Sequence, residues 1–208
     1  MTFAALAACA TLLCSDTSRL ALMPLPKPVL GADATALTLA RDSGVDSNAS
    51  AARNAGGGVT AADLARQGRI TGYTLDYKTA GPLPAHGSLL GVQTIAELYR
   101  SKEAATRGLA FWRGVTQRLA GPSQNGTAIS VTPLDVRLGD GAFSFELRYS
   151  LHGRTLGYVG DVVLRTGSML GAVFVTATGE TGLRERTITL AEKLLARIHA
   201  VLAGTIRG

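Results

Sequence analysis

The chain has only two cysteines, Cys9 and Cys14, and both fall within its first fourteen residues. Everything beyond them is therefore without a disulfide, a thiol nucleophile or a cysteine-ligated metal. Histidine is nearly as sparse. His86, His152 and His199 fall in a turn, a hairpin turn and a terminal helix, with no local spacing that would gather them around one ion. Long apolar runs are missing too: only the first few residues are continuously apolar, and they fall short of a membrane-spanning helix. Nor is there a basic tract. The net charge of +6 comes from 21 Lys and Arg against 15 Asp and Glu, with the arginines dispersed among neutral and acidic neighbours. A nucleic-acid binder concentrates such residues into a stripe, so nucleic acid is set aside as a partner.

Motifs that would carry chemistry are also missing. Gly56-Gly57-Gly58 invites a phosphate-cradle reading, but the Gly-Lys-Ser/Thr ending is absent, the dinucleotide spacing is absent, and no βαβ unit surrounds it. Ser101, Ser144 and Ser168 lack the setting of a nucleophile elbow. Asp135, Asp140 and Asp161 are carboxylates that sheet pairing could bring together, but acid–base work needs a geometry that spacing does not supply. No metal, no cofactor and no catalytic residue is expected.

What is present begins with an apolar start, Met1 to Cys14, that looks like the h-region of a signal peptide. Leu6-Ala7-Ala8-Cys9 resembles the lipobox of bacterial lipoproteins, which makes Cys9 the lipidation candidate. Eight residues precede Cys9 and none is charged, so a complete signal would need a start further upstream. An ordinary cleaved leader and a buried N-terminal helix are the alternatives. Residues 1–22 are assigned to an export leader or lipoprotein signal fragment. Residues 23–30, where Pro24, Pro26 and Pro28 alternate, are assigned to an extended proline-rich tether.

Residues 31–208 are assigned to one α+β domain, because 46% hydrophobic residues suffice for a core and 25 glycines favour turns over long helices. Polar and glycine-rich residues 41–58 predict a flexible loop. Thr60 and Asp63 form a capping signal for a short helix stopped by Gly68. Alternation predicts strands over 69–78 and 89–99, with Tyr73, Leu75 and Tyr77 on one face and Thr74, Asp76 and Lys78 on the other. Ser101 caps a predicted helix over 102–119, whose apolar face includes Trp112 as a packing residue. Three more strands, separated by turns at His152-Gly153 and Thr166-Gly167-Ser168, predict an antiparallel meander, and a final helix carries Ile188, Ala191, Leu194, Leu195, Ile198, Val201 and Leu202.

The order of these elements resembles the Mog1/PsbP-like α/β/α fold, in particular bacterial extracytoplasmic lipoproteins and secreted proteins of that group. The resemblance spans roughly Arg69 to Leu202. It rests on the Tyr73 strand, the Leu98-Tyr99-Arg100-Ser101 passage into the Trp112 helix, the Tyr149 strand, the Val163-Leu164-Arg165-Thr166-Gly167 hairpin, and the last helix around Ala191, Leu195 and Arg197. It implies a curved, mainly antiparallel sheet flanked by helices and transfers no functional residue. The expected role is a non-catalytic extracytoplasmic binding or accessory protein in a bacterium. Tyr73, Tyr77, Tyr99, Tyr149 and Tyr158 are the candidate ligand wall, because tyrosine joins apolar area to a hydroxyl. The partner is a small molecule, lipid, peptide or envelope protein, and membrane association would run through lipidated Cys9. A structural envelope or protein-interaction role is the alternative, followed by a hydrolase assembled from distant residues.

Overall fold

The structure, a computed structural model, describes residues 17–55, 58–80, 87–122 and 126–207. Residues 1–16, with Cys9 and Cys14, lie outside them, as do His86 and the Gly56-Gly57 pair. In chain order come helix α1 (Thr17–Ala21), two 3₁₀ turns (Lys27–Val29 and Ala32–Ala36), strands β1 (Leu37–Leu39) and β2 (Gly44–Asp46), and helices α2 (Asn48–Ala55) and α3 (Ala61–Gln67). Strands β3 (Arg69–Thr79) and β4 (Leu89–Tyr99) lead into helix α4 (Lys102–Gln117). Strands β5 (Gly121–Pro122), β6 (Thr127–Leu134), β7 (Gly141–Leu151), β8 (Arg154–Thr166) and β9 (Met169–Ala177) precede helix α5 (Leu183–Leu202).

The nine strands among the described residues make one sheet in the order β1-β3-β4-β9-β8-β7-β6-β5, with β2 also paired to β3. The pairs are antiparallel, and β7, β8 and β9 form the predicted meander. Long strands with alternating apolar residues must cover both faces, and helices do so. On one face Val92, Ala96, Leu98, Val162, Leu164, Val173 and Val175 pack with Leu190, Ala191, Leu194, Ile198 and Val201 of α5. On the other, Tyr99, Phe143, Phe145, Leu147, Val163 and Leu170 pack with Ala104, Ala105, Leu109 and Trp112 of α4. An α+β protein with a mainly antiparallel sheet flanked by helices is thus the architecture.

Two expectations need correction. Residues 23–30 are not a free tether, because Met23 and Leu25, interleaved with the prolines, are fully buried beside Leu20 and Leu30. The segment is used as a strap across the α5 face: Leu25 N–H donates to Thr94 Oγ1 at 3.1 Å, and Arg197 Nε donates to the Leu22 carbonyl at 2.6 Å. Secondly, the 41–58 stretch is not one loop, since it contains β2 and α2. Its polar residues have partners: Asp46 and Asn48 both bind Arg69. Helix α5 starts at Leu183, with Gly182 at φ +71° in the N-cap position.

Candidate functional site

A β-bulge builds the site. Strand β3 pairs Arg69 with Tyr99 and Thr71 with Leu98, so two residues of β3 oppose one of β4 at this point. The extra residue reverses the parity of the strand, and Arg69 joins Gly72, Thr74, Glu97 and Tyr99 on the α4 face. There the guanidinium is enclosed. Arg69 Nη2 donates to Asp46 Oδ2 at 2.7 Å, Nε to Glu97 Oε1 at 2.8 Å and Nη1 to Asn48 Oδ1 at 2.9 Å. Gly72 makes room for it, since a β-carbon there would lie 2.6 Å from Arg69 Nη2.

Helix α4 completes the network. Its start is fixed by the Ser101 cap, whose oxygen accepts from Ala104 N–H at 3.2 Å. Gly108 lets the helix settle directly on Tyr99, and the next turn brings Trp112 over Glu97. Glu97 Oε2 then accepts from Trp112 Nε1 at 3.1 Å and from Tyr99 Oη at 3.0 Å.

Between this floor and the two helices α2 and α4 lies a cavity of about 110 Å³. Ala51, Asn54 and Ala55 of α2 form one wall, and Trp112 and Thr116 of α4 the other. Thr74, Gln93, Ile95, Val163, Ala172 and Phe174 supply the sheet, and Asp46 and Glu97 the acidic end. Through Gln93 and Phe174 it joins a broader depression of about 550 Å³ over the open sheet, where Asp76 and Lys78 pair at 2.6 Å. Mostly apolar walls with a few convergent polar groups are the usual composition of a small-molecule site.

Ionisation follows burial. Burial raises the Asp46 carboxyl above its ordinary range, with Arg69 opposing and the nearby Glu97 adding to the rise. Burial also works against the Arg69 charge, but the flanking Glu97 and Asp46 carboxylates outweigh it and its pKa is raised. Tyr99 is raised well above its usual value by burial and by Glu97. Beside the cavity on β8, burial pushes Asp161 up to about 7 even though Phe145 N–H and the Thr116 hydroxyl hydrogen-bond to it.

The five candidate tyrosines do not form one wall. Tyr77 is buried in the α5-side core, with its oxygen accepting from Lys27 N–H at 3.1 Å, and Tyr73 and Tyr158 pack on that same side. Tyr99 and Tyr149 lie on the α4 side, separated from the others by the sheet, and none of the five lines the cavity. Alternation along different strands decides this, since odd positions of β3 beyond the bulge and even positions of β8 face α5. The three aspartates have separate partners or none in common: Asp140 pairs with Arg165, and Asp161 accepts from Phe145 N–H at 2.6 Å. His199 meets Thr166 Oγ1 at 2.8 Å, and among the described residues no group of three potential ligands could hold a metal. Asp46, Arg69 and Glu97 were not singled out by sequence reasoning. The usable signal was Glu97, a charged residue sharing a strand face with Gln93 and Tyr99.

No protein-family model matches the chain, and no curated protein matches it by sequence. Its structure is similar to the extracellular domain of PknH from Mycobacterium tuberculosis, with a TM-score of 0.61 and 12% identity over 88% of this chain and 96% of that one. At that identity the likeness shows a shared fold. An uncharacterized protein from Mycobacterium smegmatis aligns over 85% of each chain at 12% identity, with a TM-score of 0.41.

Proposed function

We propose that this is a non-catalytic binding or accessory protein of the cell exterior, and that the cavity between α2, α4 and the sheet receives a small molecule. The observation that carries the reading is the cavity itself, with apolar walls closing on a hydrogen-bonded acidic end. The fold shared with a bacterial extracellular domain supports an extracytoplasmic location. Membrane attachment through lipidated Cys9 belongs to the same proposal, as does membership of the Mog1/PsbP-like group, whose helix-flanked sheet agrees with this one.

The test is mass spectrometry under non-denaturing conditions on protein purified from its native host. A small molecule bound to the parent and lost from Ala172→Leu, which projects a larger side chain from the cavity floor, is the expected result. Equal occupancy in both proteins, or none in either, would overturn the cavity as the binding site. Cys9→Ala is expected to shift the protein from the membrane to the soluble fraction; unchanged partitioning would remove the lipid anchor from the proposal.

A further inference from the structure

We propose that the ligand of this cavity is an organic cation, an ammonium group carried on an apolar or aromatic body. The inference rests on the cavity being the binding site. It follows from which charges face the cavity. Among the described residues, Asp46 and Glu97 line it, whereas Arg69 does not, and no Lys, Arg or His is among those that do. The Arg69 side chain has no exposed surface, while those of Asp46 and Glu97 keep 8% and 7%. The guanidinium therefore lies behind its two carboxylates. One positive charge faces two negative ones, and the surplus negative charge is presented to the cavity.

In a site of low dielectric a surplus charge discriminates strongly between ligands of opposite sign. An anion would meet repulsion with no cation in the wall to offset it, and a neutral ligand would leave the carboxylates as they are. A cation would neutralise the site. It would also lie beside Trp112, which lines the cavity and is of the aromatic type that attracts cations most strongly. A carboxylate accepts up to about four hydrogen bonds. Glu97 receives three, from Arg69, Tyr99 and Trp112, which leaves capacity for an ammonium donor. The remaining walls, Ala51, Ile95, Val163, Ala172 and Phe174, suit a hydrocarbon or aromatic body. The neighbouring depression contributes a paired Asp76 and Lys78, so it leaves the balance of charge unchanged.

Trp112 is the single tryptophan of the chain and lines this cavity, so its emission reports on a ligand bound there. Three probes of one shape separate charge from bulk: 2-phenylethylammonium, 2-phenylethanol and phenylacetate, each titrated into the full-length protein. The ammonium is expected to perturb Trp112 emission saturably, with the alcohol weaker by about ten-fold and phenylacetate without effect. Glu97→Gln is expected to weaken the ammonium by a similar factor. Gln93→Lys, which places a positive charge at the rim without touching the Arg69 network, is expected to abolish ammonium binding and admit phenylacetate, and it keeps the test decisive should Glu97→Gln fold poorly. Alcohol or phenylacetate binding as tightly as the ammonium would overturn the charge preference while leaving the cavity as a binding site. Silence from all three probes would overturn both.

Discussion

Arg69 Nε lies 2.8 Å from Glu97 Oε1, in an ion pair whose arginine side chain is wholly enclosed. Breaking such a pair from the arginine side is the costly direction, because it leaves Glu97 and Asp46 buried side by side. Arg69→Met is expected to destabilise the fold by about 3–5 kcal/mol. Urea unfolding followed by circular dichroism measures it, and a loss below about 1 kcal/mol would show the network to be solvated.

Gly108→Ala decides between two opposed effects. In an open helix alanine gains about 1 kcal/mol over glycine. Here, however, a β-carbon would lie 2.5 Å from the Tyr99 ring, which is held by its hydrogen bond to Glu97. Overpacking should win, with a net loss of about 1–3 kcal/mol and a displaced α4. A stabilised variant would show that the helix can move away from Tyr99 at no cost.

Trp112 packs against the α4-side core and contacts Phe111 edge-on, with ring centroids 5.5 Å apart. It is half-buried, not enclosed, so it is both a core residue and a cavity wall. Trp112→Phe keeps the ring and loses the N–H donated to Glu97, and is expected to cost about 1–2 kcal/mol. Trp112→Ala should cost less than the 3–5 kcal/mol of a fully buried ring, about 2–3 kcal/mol. Thermal unfolding by circular dichroism separates the two, and equal losses would assign the whole effect to the indole nitrogen.

Asp161 gives the stability of the domain a pH dependence of unusual sign. Burial holds its carboxyl at about 7 in the folded state, against about 3.9 in an unfolded chain. Between those values the folded protein binds the extra proton, so the contribution of Asp161 is full below about pH 4 and is lost as pH rises through 7. Asp161→Asn keeps an oxygen for Phe145 N–H without the charge. It is expected to flatten stability between pH 4 and 7 and to exceed the parent by about 1–4 kcal/mol at pH 8. Urea unfolding at pH 5 and pH 8 is the measurement. An Asn variant that is no more stable at pH 8 would mean that the ionised carboxylate is already compensated.

The sheet was largely readable in the sequence because alternation survives burial on both faces. Tyr73, Leu75 and Tyr77 fall on the α5 side and Thr74 and Asp76 on the α4 side, as their spacing predicts. The Thr60–Asp63 capping box and the Gly68 stop were legible for a similar reason, being local hydrogen-bond chemistry. The site was not legible because it depends on a change of parity. Counting back in twos from Tyr73 assigns Arg69 to the α5 side, and only the bulge between Arg69 and Thr71 moves it across. Asp46 and Asn48 looked like turn residues because the cation that holds them is supplied from a different element. The strap was hidden because alternating prolines describe backbone shape and say nothing of where Met23 and Leu25 are buried.

That strap fixes how the domain would be presented to its surroundings. From Thr17 onward the described chain is bound along the α5 side, where Arg19 Nη2 donates to the Val201 carbonyl at 2.7 Å. The proline segment is consumed in holding the domain and contributes no slack. With a lipid on Cys9, the roughly eight residues to Thr17 would reach at most ~28 Å. The attachment would then lie on the α5 side of the sheet, across it from the cavity.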